Sequence, residues 1–124
     1  MKPSRVDQAA VWTHRIAGEA GGGVPVLALA GRFGFAATAD LVNAIDRLLI
    51  GSASMVVDLG QVEYMSSGSL DVLVRAAERC AGGGGVLALV IATDPVRLAL
   101  EFSGSIGVFA IAPTRDAALA LVRR

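Results

Sequence analysis

The densest set of reactive groups lies in VVDLGQVEYMSSGSLDVLVRA, residues 56–76, where Ser66, Ser67 and Ser69 surround Gly68 between an apolar run and a helical pattern. Hydroxyls at such a junction have three kinds of chemistry open to them. A serine acts as a nucleophile when a neighbouring base takes its proton. It caps a helix by accepting an N–H bond from the first turn. It also accepts a phosphoryl group, which adds about −1.5 to −2 charges at neutral pH. The nucleophile reading finds little support, because M-S-S-G-S differs from the G-x-S-x-G elbow and the sole histidine, His14, lies far upstream. One cysteine, one histidine and scattered carboxylates supply no metal-ligand spacing. The glycine clusters at 21–23 and 82–85 match neither GxxxxGK[ST] nor GxGxxG after a strand, and are read as turns. No catalytic residue, cofactor or metal is therefore expected. From the local pattern, a cap alone and a cap combined with a phosphorylation switch both stay open.

The whole chain narrows the class further. Its 124 residues fit a single domain, 1–124, with 1–10 read as a loose N-terminal tail. Hydrophobic residues make up 54% and charged ones 18%, which excludes wholesale disorder and points to extensive burial or an apolar contact surface. The 11 basic and 11 acidic residues cancel, so no global field favours nucleic acid or an anionic membrane. Lys2 is the one lysine, which removes P-loop and Schiff-base chemistry from the domain core. Cys80 stands alone and permits no intramolecular disulfide, as in a reducing cytosol. No stretch approaches about 18 uninterrupted apolar residues, and no signal-peptide run opens the chain. A cytoplasmic protein without direct membrane insertion is expected.

The elements that must position the serines follow from periodicity. A possible edge strand around Val11–Ala17, a glycine turn ending at Gly23 and a strand over Val24–Ala30 suggest an opening hairpin. From Ala37, the spacing of Leu41, Ala44, Ile45, Leu48 and Leu49 predicts a helix, stopped by Gly51 and Ser52. Met55–Leu59 reads as a strand covered on both sides. After the serines, Leu70, Leu73, Val74, Ala77 and Cys80 mark a helical face, with Asp71 and Arg75 an i, i+4 pair outside it. Gly82–Gly85 ends that helix and Val86–Ile91 follows as a buried strand. Thr93 or Asp94 caps a short helix with Pro95 at its start, running to about Phe102. Val108–Ile111 forms a last strand, and Thr114 caps a terminal helix through Val122. The order ββαβαβαβα implies an α/β fold: a mostly parallel sheet of about five strands with about four helices and right-handed crossovers.

At the serines the sequence resembles the STAS domain family, and in particular its small single-domain anti-sigma-factor antagonists. The run Val56-Val57-Asp58-Leu59, then Val62, Tyr64-Met65 and Ser66-Ser67-Gly68-Ser69-Leu70 is similar to the family's strand ending in D-L, its aromatic and apolar pair, and its D-S-S-G-L or D-S-T-G-L helix start. Pro95-Val96-Arg97-Leu98 and Glu101-Phe102-Ser103-Gly104 resemble a second family pattern, with Ser105 where leucine is usual. The resemblance spans roughly Val24–Val122. It implies a non-enzymatic regulator that docks on an anti-sigma factor, itself a serine kinase with ATP bound, and is released by phosphorylation of Ser67. A phosphatase would restore it. Ser66, Gly68 and Ser69 are implied loop contacts, Asp71 and Arg75 helix contacts, and Arg32 with Phe33 a second contact. Ser66 replaces the family's aspartate, Gly68 and Ser69 invert its usual order, and Gly31-Arg32-Phe33-Gly34 replaces G-E-L-D. These departures read as altered specificity or a lost switch. The competing reading is a STAS subunit or scaffold, never phosphorylated, bound to a transporter ATPase such as that of a lipid-transport ABC system, or to another STAS protein.

Overall fold

The computed structural model describes residues 14–21, 23–91 and 94–123. Its elements run β1 (His14–Gly21), β2 (Val24–Phe33), α1 (Thr38–Leu48), β3 (Met55–Met65), α2 (Ser67–Gly82), β4 (Leu87–Val90), α3 (Asp94–Phe102), β5 (Ala110–Ala112) and α4 (Arg115–Val122). The expected order of elements is the observed one. Single 3₁₀ turns at Phe35–Ala37 and Ile106–Val108 precede α1 and β5. Residues 11–13 of the expected first strand, the tail before them and Thr93 lie outside the described residues.

The five strands lie side by side in chain order, β1 antiparallel to β2 and every later pair parallel. Right-handed crossovers that always step the same way along a sheet put their helices on the same face. Accordingly α1, α2 and α3 share one face, where Leu29, Phe33, Leu41, Leu59, Leu73 and Leu100 belong to one buried cluster. The last helix follows the last strand and closes the other face over β3, β4 and β5, where Val26, Val56, Ala88, Val90 and Ala118 pack. β4 is buried along its whole length because it is covered on both sides.

Two strands are longer than their apolar runs. β2 continues past Ala30 to Phe33, and β3 past Leu59 to Met65. In β3 the core positions are Met55, Val57, Leu59, Val62 and Met65, so the period of two breaks twice. The break has a structural cause: the register with β2 shifts between Ala28 and Ala30 and again between Gly31 and Arg32, each time leaving one extra residue on β3. Asp58 steadies the first irregularity by accepting the Gly60 N–H at 2.9 Å, and its other oxygen accepts from Arg115 of α4 at 3.0 Å.

Local signals set the helix ends. Thr114 caps α4 by accepting the Ala117 N–H at 3.1 Å. At the other end of α2, Gly84 holds a φ of +82°, and a β-carbon on Gly85 would collide with the carbonyl oxygen of Ala53. That turn demands glycine at both places, for different reasons. β5 is shifted by about two residues from Val108–Ile111, because Ile106–Val108 forms the 3₁₀ turn instead.

Candidate functional site

The site lies where β2 and β3 end and α2 begins. Ser66 is in extended conformation, with φ −70° and ψ 163°, and its Oγ accepts the Ser69 N–H at 3.2 Å as the N-cap of α2. Its backbone is fastened twice, by its own N–H to the Phe33 carbonyl at 2.7 Å and by the Leu70 N–H to its carbonyl at 2.9 Å. Ser69 points back into the fold. Its hydroxyl is fully buried, 3.3 Å from Ser66 Oγ and 3.4 Å from the carbonyl oxygens of Phe33 and Gly34. Ser67, the first residue of α2, is exposed, and among the described residues nothing bonds its hydroxyl.

Three neighbouring hydroxyls thus have two roles. Those of Ser66 and Ser69 tie the helix start to the end of β2, and only Ser67 faces solvent. No acidic residue occupies the first turn of α2, so the partial positive charge of the helix end stands unopposed beside the Ser67 hydroxyl. The loop contacts expected of Ser66 and Ser69 therefore have no exposed side chain to make them.

Gly68 has a neighbour that the sequence reading missed. A β-carbon there would lie 3.0 Å from two ring carbons of Phe35, so the ring rests directly against the Gly68 backbone. Phe35 is 72% exposed, while Phe33 is fully buried. The expected second contact is divided accordingly. Phe33 belongs to the core, and Arg32, one residue earlier on the strand, turns to the other face with its guanidinium 5.1 Å from the centre of the Tyr64 ring. Strand parity could have revealed this, since Phe33 shares the alternation of the core residues Leu27 and Leu29.

Along α2, Asp71 and Arg75 are exposed and paired at 2.8 Å. The hydrogen bond and charge of Asp71 hold the Arg75 proton more tightly than usual. One turn on, Arg79 reaches across to Asp46 of α1 at 2.6 Å. Between the helices lies an open groove of about 240 Å³, floored by Val42, Ile45, Val72 and Ala76. Cys80 is buried in the core behind it, and burial raises its pKa above the usual thiol value while Arg79 opposes the shift.

A mixed sheet whose second long helix packs one face on the core, presents a charged outer face and starts with the solvent-facing Ser67 hydroxyl defines a helix-presenting α/β module. The chain belongs to the STAS domain family, whose model described as "Mlab, STAS domain" matches residues 16–108. A relative from Bordetella bronchiseptica named as an anti-sigma factor antagonist, BtrV, is 34% identical over 82 residues, 66% of this chain and 68% of the relative. The crystal structure of an anti-sigma factor antagonist from Mycobacterium paratuberculosis superposes with a TM-score of 0.82 at 26% identity, covering 90% of this chain and 96% of that one. The anti-sigma factor antagonist SpoIIAA in its unphosphorylated form gives 0.75 at 18% identity over 88% and 96% of the two chains. This last likeness is one of fold. Among the described residues no helix is long and apolar enough to cross a membrane.

Proposed function

We propose that this protein is an anti-sigma-factor antagonist that works by partner switching, with Ser67 as its phosphoacceptor. The observation that carries the reading is the sorting of the three serines: two are buried in the helix cap, and Ser67, which the motif resemblance matches to the family's acceptor serine, is exposed. In the unphosphorylated state the Ser67 loop and the Asp71–Arg75 side of α2 dock on an anti-sigma factor that is also a serine kinase. ATP belongs to that partner, and this chain itself is neither an enzyme nor a cofactor carrier.

Transfer of the γ-phosphoryl group forms a P–O bond to Ser67 Oγ as the bond to ADP breaks, and the hydroxyl loses its proton. The product carries about −1.5 to −2 charges at pH 7. The helix end tolerates this charge, because the first turn holds no carboxylate. A partner packed over the same spot does not, and the complex opens. A phosphatase then hydrolyses the phosphoserine, and the cycle takes place in the cytoplasm without nucleic acid or membrane.

The test is a paired pull-down from the native host with wild-type and Ser67→Glu baits, together with phosphoserine mapping of the endogenous protein. Capture of an ATP-binding kinase by wild type alone, with phosphate on Ser67, is the expected result. Capture of one non-kinase complex by both baits, with Ser67 unmodified, overturns it and makes the chain a constitutive STAS subunit of the transporter or scaffold kind.

A further inference from the structure

We propose that two copies of this chain pack the outer faces of their α3 helices against each other, antiparallel, about a two-fold axis near Ala99 and Leu100. Within Asp94–Phe102, Val96 and Leu100 turn into the core. At 3.6 residues per turn the opposite pole of the helix falls on Leu98, with Phe102 on one flank and Arg97 and Glu101 on the other. Leu98 is 48% exposed and Phe102 87%, and neither belongs to an apolar cluster of the fold. The 3₁₀ turn Ile106–Val108 packs against the same helix and adds the exposed Val108. Large apolar side chains gathered on one element in this way mark a contact surface.

Nothing among the described residues covers this face. β1, the strand that residues 1–13 precede, lies at one edge of the sheet, whereas α3 connects β4 to β5 at the other. Phe102 stands at the far end of α3 from residues 92 and 93.

The charges on the helix say which partner fits. Arg97 and Glu101 stand one turn apart on the same flank, and among the described residues neither is held in an ion pair. Within one helix a cation four residues before an anion is the weaker order, because each charge then opposes the helix dipole. A two-fold axis lying across the helix sets each flank against the same flank of the second copy with its ends exchanged. Arg97 then comes within one residue, about 1.5 Å of rise, of the level of Glu101 in the second copy, and Glu101 of its Arg97. The same operation brings Leu98 beside Phe102 of the second copy, once on each side of the axis. Asp94 meets the level of Ser105, so no like charges are opposed. The chain has no net charge, and no long-range repulsion keeps two copies apart. An anionic membrane fits less well, since the face sets Asp94 and Glu101 against the single cation Arg97. Ser67 and the Asp71–Arg75 side of α2 supply none of these residues, so the proposal does not rest on the antagonist reading.

The test is sedimentation equilibrium on the full chain. One helix pair is a small interface, so wild type is expected to dimerise with a Kd on the order of 100 μM. Phe102→Ser should weaken the dimer about tenfold or more, because the two-fold axis counts the lost ring twice. Ile50→Ser, at a comparably exposed apolar residue just beyond α1, should change nothing. Arg97→Glu and Glu101→Arg should each weaken the dimer through two like-charge pairs, and an equimolar mixture of the two should recover wild-type affinity, since every pair is then opposite in charge. Circular dichroism melts check that the variants fold. Phe102→Ser and Glu101→Arg, both at exposed positions, carry the test if Arg97→Glu, at a half-buried one, does not fold. A wild type that stays monomeric at about 1 mM overturns the proposal. So does a dimer indifferent to Phe102→Ser, a dimer weakened as much by Ile50→Ser, or a mixture no tighter than its components, because each places the interface elsewhere.

Discussion

Replacing Ser66 and Ser67 by alanine in turn should produce opposite outcomes at adjacent positions. Ser66→Ala removes the hydroxyl that accepts the Ser69 N–H at 3.2 Å, a cap worth on the order of 1 kcal/mol. It also takes one polar neighbour from the buried Ser69 hydroxyl, whose contacts to Phe33 and Gly34 are long at 3.4 Å, adding up to about 1 kcal/mol. The expected loss is about 1–2 kcal/mol. With an ordinary urea slope of about 2 kcal/mol per molar, the unfolding midpoint should fall by roughly 0.5–1 M with the slope unchanged. Ser67→Ala touches an exposed side chain and should stay within about 0.5 kcal/mol of wild type. The assay is urea unfolding followed by circular dichroism, paired with phosphate incorporation by the cognate kinase. Ser66→Ala should be less stable yet phosphorylated when folded, and Ser67→Ala stable yet unlabelled. Equal midpoint losses in the two variants would refute the division of labour among the serines.

Phe33→Ala should cost about 3–5 kcal/mol, because a fully buried ring leaves a cavity in the core, whereas Phe35→Ala on the surface should leave the unfolding midpoint nearly unchanged. Gly85→Ala should destabilise by roughly 1–3 kcal/mol, since the Ala53 backbone has to move to admit the methyl group, and denaturant titration will show it. Cys80 should resist iodoacetamide in the native state and react on unfolding. The folded thiol pKa is raised, so its contribution to stability is fully present below the unfolded thiol value and declines as pH rises through the folded one; unfolding titrations at alkaline pH should show that decline.

Much of this architecture is legible in the sequence, because the helices carry clean apolar stripes and most strands are short apolar runs between glycines. Leu41, Ala44 and Ile45 of α1, and Leu70, Leu73, Ala77 and Cys80 of α2, are buried as their spacing implies. The second half of β3 is not legible, since Gly60, Gln61 and Glu63 are polar or flexible and the core positions there fall three apart. A rule of alternation cannot follow a strand through two changes of phase. At the site, the type of the residues was informative and their direction was not. Three serines in four positions predict a cap and a candidate switch. Which hydroxyl is hidden depends on where β2 ends, since Ser69 turns toward the Phe33 and Gly34 carbonyls, residues more than thirty positions away. Phe35 went unnoticed for a related reason. Its contact with Gly68 exists only once the two strand ends are brought together.

The double irregularity of β3 also bears on how this chain can change over evolutionary time. Each extra residue reverses which side of the sheet the following side chains face, and the pair together returns the strand to its original phase before Ser66. Point substitutions at exposed positions such as Gln61 and Glu63 leave that count intact. Loss of a single residue between 59 and 63 does not: it would turn Met65 outward and carry the hydroxyls of the following turn with it, burying one meant for solvent. In this stretch, length is under tighter constraint than chemistry. Homologous chains should accordingly vary freely in side-chain identity here while rejecting insertions and deletions, unless they come in compensating pairs.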